Sequence, residues 1–378
     1  RNPRVGKKLL ATGNGRCNFT NTDLDVSHFH GSDPGFINAV LDRFSGQRTL
    51  SFFRELGIEP RQEEAGKIFP ASGQASSIVD VLRYQADHLG VALICDTDVK
   101  SVQKNGSLFT VNTAVGCFRA DAVIIATGGK AGPQFGSSGA GYTLSAPFGH
   151  RLVKPVPALV QLRLKAPFLK AIAGVKLQGQ VSIFQGNTCV NSAAGEILFT
   201  NYGISGPPVL ALSRTASKIL NRGGQPMLKV SILTHQRAKD IARYLQRRFQ
   251  TQHHKTAELS LVGFIHKRLI VTMLKEAGIP LKIPAAQINQ AQINCLASLL
   301  ASWTFPITDT NGWTAAQVTA GGLHQDHICP QTLGSTLLPQ LYFAGEIINV
   351  DGDCGGYNLQ WAWSSGFVAG TAAAQPGP

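Results

Sequence analysis

The sequence has no Cys-x-x-Cys pair, no apolar run of membrane-crossing length, and too few acidic residues to balance its basic ones. Cys17, Cys95, Cys117, Cys189, Cys295, Cys329 and Cys354 are scattered and odd in number. That pattern suits a reducing compartment rather than a disulfide scaffold. The longest apolar runs, within Asp121–Ala126 and Leu341–Ala344, are strand-length, so no transmembrane helix is expected. Only Leu9, Leu10 and Ala11 follow the basic start before polar residues return, which is not a secretory signal, and a cytoplasmic location is expected. With 35 Lys and Arg against 22 Asp and Glu, the formal charge is +13, which suits an anionic partner such as a dinucleotide, an acidic substrate or nucleic acid. The basic residues are spread out, and no stretch interleaves them with aromatics, so nucleic acid is not the expected partner. His253 and His254, beside Arg247, Arg248 and Lys255, read as a solvated basic helix face. His324 and His327 fall in an expected loop, and no metal is expected.

What is present is a hydrophobic fraction of 43% with 15% charge over 378 residues, enough for two or three packing units, one of them split by an insertion. Apolar spacing predicts a helix over 78–89 with Ser77 as its cap and Gly90 closing it, then a buried strand at 91–95. Short alternating strands at 99–102, 107–111 and 116–119, with Asn105-Gly106 as a hairpin turn, predict a β-meander leading into 121–129. Residues 151–233 carry short strands, prolines and glycines and read as β-rich. Residues 234–317 are helical in pattern, with helices over 238–249, 259–277 and 285–303. Strand texture resumes at 317–320 and 341–345.

Three segments carry ligand chemistry. Gly13-Asn-Gly-Arg-Cys-Asn18 offers close backbone approach, with Arg16 and Asn18 able to bond oxygens; alone it equally reads as a glycine turn. In Val123-Ile-Ile-Ala-Thr-Gly-Gly129, an apolar strand runs into Ala126, Thr127 and Gly128, as where a parallel strand meets a dinucleotide. In Leu341 to Gly366, a strand ends in Gly345-Glu346, a loop holds Asp351 and Gly355-Gly356, and a helix begins at Tyr357 with Ala362, Ser365, Gly366, Ala369 and Gly370 at close-packing positions. Its free N–H groups behind Gly356 can bind partial negative charge, and Glu346 or Asp351 can accept a hydroxyl.

These blocks, with Gly136-Ser-Ser-Gly-Ala-Gly-Tyr142 and Val318-Thr-Ala-Gly-Gly322, resemble the BaiN/YhiN-like (aminoacetone oxidase family) FAD-dependent flavoproteins over nearly the whole chain. The resemblance implies an α/β fold: a Rossmann-like FAD-binding domain of the two-dinucleotide-binding-domain flavoprotein type. Built from both chain ends (1–150 and 318–378), it would be interrupted by the β-rich domain (151–233) and the helical domain (234–317). It implies non-covalent FAD held by Gly13, Gly15, Arg16, Cys17 and Asn18, by Ala126, Thr127 and Gly128, and by Gly345, Glu346, Asp351, Asn358 and Leu359. Gly356 would face the flavin, and the backbone of Val99 the adenine. Family members open with a Gly-x-Gly-x-x-Gly turn inside a first βαβ unit, which is absent here, and truncation is the expected reason. The implied activity is hydride transfer between flavin and a small organic substrate, as amine oxidation or conjugated-carbonyl reduction, with NAD(P)H as a conceivable electron donor. The alternative is a nucleic-acid-binding or scaffold protein on a flavoprotein fold. No catalytic acid or base is evident.

Overall fold

The computed structural model describes residues 2–375; Arg1 and residues 376–378, the outermost ends of the two-ended domain expected from the sequence, lie outside it. The chain divides into two units, Arg1–Pro157 with Ala316–Pro378, and Ala158–Ala315.

At the centre of the first unit, Val123–Ile125 pairs in parallel with Leu341–Phe343, more than 200 residues later. A parallel pair cannot be closed by a hairpin, so everything between the two strands is crossover or insertion. Both strands end in small residues, Ala126-Thr127-Gly128 and Ala344-Gly345, so two loops emerge side by side. The helix Tyr357–Ala373 packs against them, its Trp361 indole donating to the Gly345 carbonyl at 3.1 Å and the Ser365 hydroxyl accepting from the Gly345 N–H at 2.8 Å. Ser365 and Ala369 are buried in that contact as expected. Gly366 and Gly370 instead face open space, so the close-packing stripe is narrower than the spacing suggested.

The meander forms from Val99–Asn105, Leu108–Thr113 and Cys117–Ala120, with Gly106 at φ +63° in the first turn. The preceding helix runs from Ala75 to His88 with Gln74, not Ser77, in the cap position; the Ser77 hydroxyl bonds Ser72 instead. Gly90, at φ +70°, closes it as expected. Residues 91–95 are not a buried strand: Val91, Leu93 and Ile94 are about half exposed. An apolar run becomes a strand only where a neighbour completes its ladder, and among the described residues none lies alongside.

The second unit is a closed antiparallel barrel with strand order Leu162–Leu164, Gly203–Ser205, Thr188–Phe199, Lys176–Gln185, Met227–Ser231, Trp303–Thr310. Its helices Ala238–Thr251, Ala257–Leu261, Lys267–Glu276 and Gln290–Ser302 interrupt the barrel between its last two strands and share one hydrophobic core with it. Trp303–Thr310 alternates, with Trp303, Phe305 and Ile307 inward, although the sequence reading gave this stretch to the helical part. A helix, Pro207–Asn221, lies within the stretch read as β-rich; Pro207 opens it, at a helix position where a missing N–H costs nothing. His253 and His254 follow the helix Ala238–Thr251 rather than forming part of its face.

Candidate functional site

The motif residues of the first unit form two groups. In one, segment 13–18 meets the start of the terminal helix. Gly13, Asn14, Gly15 and Cys17 all have positive φ, so this segment coils tightly on itself, with the Cys17 N–H donating to the Thr12 carbonyl at 3.0 Å. The Arg16 side chain is engaged within the protein. Its guanidinium lies 4.2 Å over the Phe69 ring and donates to both Glu63 oxygens at 3.0 and 3.1 Å. Cys17 packs in a small core with Phe19, Phe53, Ile68 and Ile78, and burial pushes its thiol up to about 11, so it is a neutral packing group. Leu359 packs against the same core.

Asn18 is the exception in this segment. Its Oδ1 is buried with no hydrogen-bond partner, and it lies beside Gly356, where an added Cβ would stand 3.0 Å from it. Such a Cβ would also collide with the Thr20 carbonyl. Gly355 and Gly356 take φ +146° and +102° to launch the helix at this close approach. Asn21 ties these segments together, donating to the Gly355 carbonyl at 2.8 Å and the Ala65 carbonyl at 3.1 Å. Asn358 braces the loop from the other side: its Oδ1 accepts from Gly352 N–H at 2.8 Å, and its amide donates to the Gly352 carbonyl at 2.7 Å. Asp351 is fully buried on a short strand opposite His30.

The second group joins the two loops that follow the parallel strands. The Glu346 carboxylate accepts from Thr319 N–H at 2.7 Å, from Gly129 N–H at 3.1 Å and from Lys8 Nζ at 3.1 Å. The Thr319 hydroxyl in turn accepts from the N–H groups of Lys130 and Ala131 at 2.8 and 2.9 Å. Two glycines on these loops remain open: an added Cβ would meet nothing within 4 Å at Gly345, and nothing closer than 3.8 Å at Gly128. Gly15 is equally open, with the Leu10 carbonyl at 4.0 Å. Ala126 and Thr127 are exposed beside them. Tyr142, buried at 9% exposure, carries a hydroxyl with no partner, and burial, reinforced by the Glu346 charge, holds its pKa well above the ordinary phenol range.

Of the expected ligand residues, Arg16, Cys17 and Asn358 therefore spend their side chains within the protein, and Glu346 already takes three donors. Val99 stands in the meander, paired with Thr113, rather than in either group. Lys8, Thr319 and Tyr142 were not singled out as site residues, although Thr319 and Tyr142 stand in blocks that carried the resemblance. Among the described residues, no group of His, Cys, Asp or Glu is arranged to hold a metal ion, and no helix is long and apolar enough to cross a membrane.

A family model described as "HI0933-like protein Rossmann domain" matches residues 1–372. A 3-dehydro-bile acid delta(4,6)-reductase of Clostridium scindens is 39% identical over 372 residues, 98% of this chain and 90% of the relative. Ribosomal RNA dihydrouridine synthases of Haemophilus influenzae and Escherichia coli are 29% and 30% identical over 373 residues, 97% of this chain and 89% and 88% of theirs.

Proposed function

The chain belongs to the HI0933-like Rossmann-domain family and is an FAD-dependent oxidoreductase; from that premise we propose that it saturates a carbon–carbon double bond conjugated to a carbonyl. Two differently named relatives support this reaction type. One is named for reducing the 4,6 positions of a bile acid, the other for making dihydrouridine, in which the double bond beside a uracil carbonyl is saturated. Neither name supports amine oxidation.

The observation that carries the cofactor part is the buried, unpartnered Asn18 oxygen beside the glycine start of the terminal helix. A flavin ring has N–H and oxygen atoms along one edge. Asn18 Oδ1 would accept from such an N–H, and the helix N-terminus behind Gly356 favours the negative charge that the reduced ring carries near N1 and O2. FAD supplies the hydride chemistry when bound. The open positions Gly15, Gly128 and Gly345 allow close approach of its ribityl chain. A reduced nicotinamide dinucleotide is the proposed electron source.

The test is the absorbance spectrum of the purified protein, release of flavin on acid denaturation, and anaerobic reoxidation of the reduced flavin by conjugated carbonyl compounds. Absence of flavin would refute the cofactor, and flavin staying with the denatured protein would refute non-covalent binding. Reoxidation by dioxygen and amine-derived couples only would refute the reaction type.

A second reading, an RNA base as the substrate, is favoured by the charge of +13 and by the synthase relatives. Uridine-containing RNA should then bind with affinity falling steeply with salt, and a small steroid-like enone should outcompete it if the substrate is instead a small molecule.

A further inference from the structure

Resting on the reduction proposed above, we propose that Asp23, His28, Asp353 and His30 form the proton-supply chain of this site. The chain is continuous: His28 Nε2 lies 3.2 Å from Asp23 Oδ2, His28 Nδ1 3.2 Å from Asp353 Oδ2, and His30 Nε2 2.9 Å from Asp353 Oδ1. It begins in solvent, with Asp23 65% exposed, and continues through side chains that are 31–37% exposed. Backbone pairing fixes it. Phe29–His30 runs antiparallel to Asp351–Gly352, and the Asp353 N–H donates to the His28 carbonyl at 2.9 Å. Asp353 thus stands two residues ahead of Gly355, in the loop that launches the terminal helix. The His28 ring lies flat on Tyr357, the first residue of that helix, with centroids 4.5 Å apart and planes 17° apart.

Saturating a conjugated double bond needs a hydride at the β carbon and a proton at the α carbon, with the π electrons moving toward the carbonyl as the hydride arrives. The hydride is the contribution of reduced FAD, restored by a nicotinamide dinucleotide; the proton must come from a positioned acid. His28 is held by carboxylates at both ring nitrogens and His30 at one. His30 is therefore the delivering end and His28 the relay, which returns a proton from water at Asp23 through Asp353. The groups facing His28 are Asp23, Asp25 and Asp353, with Tyr357 and Cys354 beside Asp353 and Lys67 beyond Cys354. Burial opposes the charged imidazole, but bonds to Asp353 and Asp23 outweigh it and hold the His28 pKa above its ordinary value. Burial pushes the Tyr357 phenol up to about 12, so it does not compete as an acid near neutrality.

The test uses His30→Gln and Asp353→Asn in the flavin-loaded protein, with folding checked by circular dichroism. Flavin reduction by the dinucleotide should change by about threefold or less, while reoxidation by the conjugated acceptor should fall by roughly 100-fold. Reoxidation at the wild-type rate in both variants overturns the proposal. Independently of any acceptor, imidazole NMR titration of the cofactor-free chain should place His28 above its ordinary value, and Asp353→Asn should lower it. An unmoved titration overturns the chain. If wild-type protein reduces no conjugated carbonyl, the reaction reading fails, and the titration alone then decides for or against the linked groups.

Discussion

Replacing Glu346 by Gln tests how the two strand-end loops are held. The carboxylate takes Thr319 N–H on one oxygen and Gly129 N–H with Lys8 Nζ on the other, at 19% exposure. An amide keeps one acceptor oxygen and sets an NH2 where the other stood. Turned one way it orphans Thr319 N–H; turned the other, it faces Gly129 N–H and the Lys8 ammonium with two further donors. Each lost charge-assisted bond is worth about 1.5–3 kcal/mol, and the partly exposed Lys8 pair adds at most about 1 kcal/mol. The better orientation sacrifices only the Thr319 bond, so the net loss should be about 2–3 kcal/mol. For a unit of this size, that lowers the melting temperature by about 4–10 °C. Lys8→Met removes the partly exposed ammonium from Glu346 and from the Ala131 carbonyl, and should cost no more than about 3 °C. Differential scanning calorimetry of cofactor-free protein measures both. A Glu346→Gln melting point within about 1 °C of wild type, or a larger loss in Lys8→Met, would refute the view that backbone N–H groups, not the ammonium, are what the carboxylate holds.

The buried His150, its Nε2 on Ser335 at 2.8 Å, has a pKa lowered to about 4, by burial first and by nearby His327 second. Because the unfolded chain protonates it near 6.5, its contribution is complete above that pH and is lost as pH falls toward 4, at most about 3 kcal/mol; urea unfolding of His150→Phe should show a flatter pH dependence over that window, and parallel curves would contradict it. Gly356→Ala should destabilise the fold itself through the Thr20 collision, by several kcal/mol, roughly as strained overpacking does; an unchanged melting curve would show that the helix start can shift. At pH 7.5, Cys329 should alkylate fastest per unit exposure: burial works against its thiolate, but hydrogen bonds from Thr332 and Gln331 and the charge of Arg43 outweigh this and lower its pKa. Cys17 should resist until unfolding, and peptide mapping after iodoacetamide that found Cys17 modified first would reject this order.

The parallel strands, the meander and the terminal helix were legible because each is announced by a local pattern: an apolar run ending in glycine, alternation around Asn-Gly, or a glycine pair before a helical face. The insertion was legible only as texture. Pro306 hid the last barrel strand and Pro207 the helix at 207–221, since one residue type marks a sheet edge in one place and a helix start in the other. Residues 91–95 misled for the converse reason, because burial depends on a partner that local composition does not reveal. At the site, residue types announced the close backbone approach at Gly356, but not which polar groups remain unspent. Arg16 looked like a ligand residue and is consumed by Glu63, while Asn18 in the same motif keeps a buried oxygen without a partner. His28 and His30 drew no attention because the carboxylate joining them comes from more than 300 residues away.

The barrel's strand order also sets a schedule for synthesis. Leu162 pairs with Thr310, so the first barrel strand waits for about 150 further residues before its cylinder can close. At roughly 5–20 residues per second of translation, that interval is about 8–30 seconds. Meanwhile the neighbouring Met227–Ser231 edge stays unpaired while four helices are made, and the apolar faces destined for the barrel interior are open to the crowded surroundings of the ribosome. Nascent chains arrested before Trp303 should therefore engage chaperones far more than chains arrested a few dozen residues later, so that the step deciding yield in the cell comes late in translation.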